Sequence, residues 1–167
     1  RITGVTHHGL IIGGVNPERI EPLGEGPGVE PIAVSARDLA SGTHHYDLVS
    51  VAGVARPPKP AGKNGATMRL ATAGGAIELR FDEAPPDPAA LVDSELRVRG
   101  LAAGDINDRR ELVQPYVRVR SIEDVVILKP APADPFSSEL VSVGELQRVS
   151  AAALRGRVRG VRRASPG

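Results

Sequence analysis

The sequence predicts an all-β chain built from a repeated unit, and three observations predict it. The first is alternation. Ile77, Leu79 and Phe81 are interleaved with Glu78, Arg80 and Asp82, Leu96 and Val98 with Arg97 and Arg99, and Val117 and Val119 with Arg118 and Arg120. A period of two puts apolar side chains on one face of a strand and charged ones on the other. The second is self-similarity. Residues 34–56 align without a gap with 141–163, and seven of the 23 pairs are identical: Val34/Val141, Ser35/Ser142, Leu39/Leu146, Val51/Val158, Gly53/Gly160, Val54/Val161 and Arg56/Arg163. Ordinary composition would give roughly one or two. Arg1-Ile2-Thr3-Gly4-Val5 likewise reads like Arg97-Val98-Arg99-Gly100-Leu101. The third is punctuation: Pro57-Pro58-Lys59-Pro60-Ala61-Gly62-Lys63-Asn64-Gly65 is a loop, and Gly74-Gly75 between two short apolar runs reads as a tight hairpin.

The repeat sets the domain boundaries. Residues 1–29 are expected to be the C-terminal part of a first module, 30–130 a complete module, and 131–167 a linker and the first strand of a third. Ser35 to Leu39, with Asp38 near the start, predicts a short helix leading into each unit. Strands follow at 47–56, 67–73, 75–83, 94–103 and 113–128, the last bent or broken near Ser121. Between the third and fourth lies a short helix over 88–92, with Asp87 as N-cap and Pro88 in the first turn. Five strands with a helix in that position is the order of an OB-fold barrel. The predicted fold is therefore an OB-fold-like five-stranded antiparallel barrel with a short helix, in a tandem repeat truncated at both ends; a plain β-sandwich is the alternative. A small barrel also accounts for Gly53, Gly100 and Gly160, each set where sharp coiling leaves no room for a side chain. Val49, Val51, Leu70, Ile77, Leu79, Leu96, Val98 and Val125 should face inward. Pro130-Ala131-Pro132-Ala133-Asp134-Pro135 reads as a stiff linker, matched one unit earlier by Gly24 to Pro31.

Composition excludes several chemistries. The only aromatic residues are Phe81, Phe136, Tyr46 and Tyr116, so the core must be built from Val, Leu, Ile and Ala. Cysteine is absent, which rules out disulfides and thiolate metal sites. No run of 18 apolar residues exists to span a bilayer as a helix, and no signal peptide is evident. Residues 31–130 carry 13 basic and 13 acidic side chains, whereas 148–167 hold Arg148, Arg155, Arg157, Arg159, Arg162 and Arg163 without an acid. That tail reads as an arginine-bearing strand cut off from the acidic loops that would follow it.

No catalytic residue, metal site or cofactor is predicted. Adjacent histidines (His7-His8 and His44-His45) point to opposite faces of a strand and do not chelate together, so they read as exposed loop histidines. Asp82-Glu83, Asp105, Asp108 and Glu123-Asp124 read as solvated turn carboxylates. Gly9-Leu10-Ile11-Ile12-Gly13-Gly14 lacks the Lys-Ser/Thr of a phosphate loop. Asn107-Asp108-Arg109-Arg110 lies between the fourth and fifth strands, in a loop that OB folds use for binding. Asn107, Arg109 and Arg110 are thus the candidate ligand-binding residues, suited to a carboxylate or phosphate, against a plain hairpin turn with solvated arginines.

Taken together, Leu96-Arg97-Val98-Arg99-Gly100, Ile106-Asn107-Asp108-Arg109-Arg110-Glu111-Leu112-Val113, Ser121-Ile122-Glu123-Asp124-Val125 and Pro132-Ala133-Asp134-Pro135-Phe136 resemble the tandem OB-like modules of the N-terminal, extracytoplasmic region of bacterial sensor histidine kinases. The segment Gln114-Pro115-Tyr116-Val117-Arg118-Val119 is more polar than those modules carry, which leaves the register of the last strand open. The resemblance implies a non-catalytic sensory or interaction module of a membrane signalling protein, periplasmic or extracytoplasmic, with a kinase in the full-length protein. Its partners would be adjacent modules of the same chain, a small extracytoplasmic ligand and a second copy in a homodimer. The alternative is a nucleic-acid-binding tandem OB-fold protein. Single-strand binding wants aromatic platforms and a basic groove, and a neutral unit whose candidates are Phe81 and Tyr116 weighs against it.

Overall fold

In a computed structural model the described residues are 1–9, 13–24 and 26–134. The strands are β1 (Ile2–His7), β2 (Gly14–Ile20), β3 (Ile32–Ala33), β4 (Leu48–Ala55), β5 (Lys59–Ala61), β6 (Gly65–Thr72), β7 (Gly75–Phe81), β8 (Glu95–Ile106), β9 (Leu112–Val119) and β10 (Val125–Lys129). One α-helix, α1 (Ala36–Ser41), precedes β4, and single 3-10 turns stand at Pro88–Leu91 and Ile122–Asp124.

Five strands close a ring. β4 pairs with β6 (Val54↔Ala71), β6 with β7 (Met68↔Leu79), β7 with β9 (Leu79↔Val117), β9 with β8 (Ala102↔Val117) and β8 back with β4 (Val51↔Val98). This is the OB-fold barrel expected from the element order. Four junctions are antiparallel and β7–β9 is parallel. The parallel junction follows from the crossover through residues 82–94, which carries the chain from β7 to β8 at β4's other edge and leaves β9 to fill the gap. Val49, Val51, Leu70, Ile77, Leu79, Leu96 and Val98 are buried as alternation requires, and Val125 is half-buried against them. Met68, Phe81, Val117 and Val119 complete the barrel interior, each contributing about 1.5–3 kcal/mol by burial. Phe81 is therefore a core residue rather than a stacking platform. Val117 and Val119 also fix the register of the last strand that polar neighbours had left open.

Local chemistry sets the ends of the elements. Ser35 caps α1 in a capping box with Asp38, and Gly42 ends it in the left-handed region at φ 74°. α1 lies over β7 and β9 and buries Leu39. The short helix expected at 88–92 is present as a 3-10 helix over Pro88–Leu91, capped by Asp87, which accepts from the Ala90 amide at 3.2 Å. Four residues close a 3-10 ring without room for a regular α-helix. The predicted break near Ser121 is real: β9 ends at Val119, and β10 resumes along the first half of β8 (Val125↔Val98, Ile127↔Leu96). Asp124, almost fully buried, holds this bend by accepting from Arg99 Nε at 2.6 Å. At Gly53 a Cβ would lie 2.7 Å from the Ala71 carbonyl oxygen, and at Gly100 it would overlap that of Arg118. Both glycines are there because the neighbouring backbone is.

β1 and β2 pair with each other, from Ile2↔Ile20 to His7↔Gly14. After β10 the Ala131 amide donates to Ser94 Oγ at 3.0 Å. The expected helix and strand of a third module, at 141–163, lie outside the described residues, as do Gly160 and the arginine-rich tail.

Candidate nucleic-acid interface

The outward positions of β6, β7 and β9 form one polar face. Burying Met68 and Leu70 turns Thr67 and Arg69 outward. Burying Ile77, Leu79 and Phe81 does the same for Glu78 and Arg80, and burying Val117 and Val119 for Tyr116 and Arg118. Registers Arg69↔Glu78, Thr67↔Arg80 and Glu78↔Tyr116 place these side chains side by side. Arg80 lies across the centre. Its guanidinium stacks 3.8 Å from the Tyr116 ring centroid. Its two terminal nitrogens form a bidentate pair with Asp105 at 2.8 and 2.6 Å, and its Nε donates to Glu78 Oε1 at 2.7 Å. Gln114 Nε2 occupies the other Glu78 oxygen at 2.7 Å. The Asp105 bond, and secondarily Glu78, holds Arg80 still more firmly in its charged form, and the same bond keeps the Asp105 carboxyl below the usual carboxylate range. The result is a pinned planar pair, Arg80 on Tyr116, at the middle of the face.

Beside it runs an open groove of about 380 Å³ lined by Arg56, Pro57, Lys59, Thr67, Arg69 and Glu78. β5 brings Lys59 there by annealing the loop between β4 and β6 onto β6 (Lys59↔Thr67). Arg56 is drawn in by its backbone amide, which donates to the Arg69 carbonyl at 2.8 Å. Its side chain reaches Asp93 at 3.4 Å. Lys59 and Arg69 make no ion pair among the described residues, and both oxygens of Glu78, the groove's one carboxylate, are already bonded. Among the described residues Lys59 and Arg69 are thus two cations without a carboxylate partner, on a module whose overall charge is zero. The contrast is a second cleft around Leu48, Gly100 and Leu101. There Arg99 and Arg120 share Asp124, and Arg118 meets Asp82 at 2.8 Å, so every arginine of that cleft has a carboxylate partner.

The structure keeps the predicted trio on one loop but gives its members different work. Asn107 is absorbed by the turn: its Oδ1 accepts from the amides of Arg109 (3.0 Å) and Glu111 (2.9 Å), and its Nδ2 donates to Glu111 Oε2 at 2.8 Å. Arg110 takes φ 64° at the tip, and both arginines are exposed. Three of the carboxylates expected to be free in water are paired: Asp82 with Arg118, Asp105 with Arg80, and Asp124 with Arg99. The second histidine pair is half-buried rather than exposed: His44 Nδ1 meets Asp47 at 3.1 Å, and His45 stacks on Tyr46 at 4.1 Å between centroids. Burial pushes the His45 imidazole below its ordinary value. The Arg56, Lys59 and Arg69 set was missed because loop and strand positions far apart in sequence converge only through the β5–β6 pairing. Alternation already marked Arg69 and Arg80 as outward, which was the available signal.

No family model matches the chain, and no curated protein matches it. Similar solved structures include asparaginyl-tRNA synthetase from Pyrococcus horikoshii, at 14% identity and TM-score 0.47, over 65% of this chain and 25% of that one. The same enzyme complexed with asparaginyl-adenylate gives 15% and 0.47, over 65% and 24%. Entamoeba histolytica asparaginyl-tRNA synthetase with asparaginyl-adenylate gives 14% and 0.45, over 71% and 29%. The likeness is one of fold, and the chain spans about a quarter of each enzyme's length. The expectation of a sensory module of a sensor histidine kinase is corrected here: the similar solved structures named above are aminoacyl-tRNA synthetases and none is a sensor kinase. Among the described residues no helix is long and apolar enough to cross a membrane.

Proposed function

We propose that the barrel is a binding module for single-stranded nucleic acid, with phosphates held in the Arg56, Lys59 and Arg69 groove. The observation that carries this reading is the pair Lys59 and Arg69, cations without a carboxylate partner among the described residues, beside Arg56 on the β6–β7 face, where OB folds take oligonucleotides. The Arg80–Tyr116 pair, on the same polar face, offers a planar surface on which a base can stack. Arg109 and Arg110, on the loop shaped by Asn107, add cations at the start of β9. A neutral module with three groove cations binds weakly and through phosphate charge. For three phosphates on a single strand the salt slope is about −2, so affinity should fall about 20-fold between about 50 and about 200 mM salt. Fluorescence anisotropy with a labelled single-stranded oligonucleotide measures this. The double variant Lys59→Ala/Arg69→Ala should lower the slope to about −0.7. No binding at low salt, or a slope untouched by the double variant, would overturn the reading.

A further inference from the structure

We propose that β1 and β2 are the fourth and fifth strands of another barrel of the same repeat, and that the apolar side of this hairpin is an interface for that barrel's own earlier strands. Sequence and close approach argue it. With 96 added along β1 and 102 along β2, Val5↔Asn16, Thr6↔Val15 and His7↔Gly14 of the hairpin fall on Leu101↔Arg118, Ala102↔Val117 and Ala103↔Tyr116 of β8–β9. The same addition of 96 aligns Arg1-Ile2-Thr3-Gly4-Val5 with Arg97-Val98-Arg99-Gly100-Leu101. The glycines do the same work: a Cβ on Gly4 would overlap the Asn16 carbonyl oxygen, and one on Gly100 the oxygen of Arg118, the residue that Asn16 maps onto.

What differs is cover. Val98 and Val117 are fully buried in the barrel, whereas their counterparts Ile2 and Val15 are 62% and 47% exposed. In the barrel, β4 covers β8 antiparallel (Val51↔Val98) and β7 covers β9 parallel (Leu79↔Val117). The hairpin therefore wants an antiparallel strand along β1 opposite Ile2 and a parallel one along β2 opposite Val15. In the complete unit both covering strands precede the hairpin, β4 starting 47 residues before β8 (95 − 48). The occupant is accordingly polypeptide N-terminal to Arg1, folded as a barrel of this type.

The test compares the 167-residue chain with the natural polypeptide extended N-terminally through one further unit. Hydrogen exchange should show β1 and β2 amides slow in the extended polypeptide and fast in the shorter chain. Ile2→Asp and Val15→Asp should lower the melting temperature of the extended polypeptide and leave that of the shorter chain unchanged. Fast exchange in both, tolerance of both substitutions in the extended polypeptide, or a reading frame opening at Arg1 would overturn the proposal. Concentration-dependent protection of the hairpin in the shorter chain would overturn it too, by giving the face to a second copy.

Discussion

Replacing Gly100 by Ala probes the closure of the barrel at its tightest point. Gly100 pairs with Val49 of β4 while its Cα hydrogens face β9, where a Cβ would overlap the Arg118 carbonyl oxygen and sit 2.7 Å from Val117 Cγ1. Neither neighbour yields cheaply: one is backbone, and the other is a fully buried side chain with a stiff χ1. Overpacking of this kind costs about 1–3 kcal/mol. Against it, the unfolded chain loses freedom worth about 0.4–1 kcal/mol when glycine becomes alanine. The net is about 1.5 kcal/mol, or about 6–12 °C in melting temperature for a domain of this size. Gly74→Ala is the matched control, because nothing lies within 4 Å of its Cβ position. Circular dichroism melts of the two variants should therefore diverge, Gly100→Ala falling and Gly74→Ala staying level or rising slightly. Equal melting temperatures would mean that β8 and β9 do not cross this closely, and the closed ring would have to be redrawn.

Three smaller tests follow. Ser35→Ala removes the α1 cap and should cost about 1 kcal/mol in chemical denaturation, with a Ser35→Asp variant recovering most of it. His45 is held neutral by burial, so its folded pKa lies below its unfolded value; the stability it contributes is present above 6.5 and is lost as pH falls through the folded value. Denaturation midpoints should decline over that window in the parent and not in His45→Gln. Asp105 is likewise depressed by the Arg80 bond, so its contribution persists above the usual carboxylate range and disappears on further acidification. Arg80→Met should flatten that acid limb in midpoints followed by circular dichroism.

Much of the barrel was legible because its signals are local. Ile77-Glu78-Leu79-Arg80-Phe81 cannot satisfy both its apolar and charged residues except as a half-buried strand, and Ser121 interrupts a run too long for one straight strand. The repeat exposed Gly53 and Gly100 as positions of close approach before any neighbour was known. What stayed hidden depends on which strands meet. The parallel β7–β9 junction, which sets Arg80 beside Tyr116 and within reach of Asp105, has no trace in the alternation of either strand. Lys59 joins the groove only because a proline-rich loop anneals to β6. The turn that Asn107 forms was one of its two readings in the sequence, since an Asn at a hairpin tip can satisfy local amides as readily as a distant anion.

The central claim is that the β6–β7 face, and not another, takes a single strand. Amide chemical-shift mapping on titrating an isotope-labelled chain with a short single-stranded oligonucleotide at low salt tests it directly. The account predicts shifts confined to Arg56, Lys59, Thr67, Arg69, Glu78, Arg80 and Tyr116, with smaller ones at Arg109 and Arg110, and with β10 and the cleft around Asp124 unmoved. Shifts centred on that cleft, or none at saturating oligonucleotide, would contradict it.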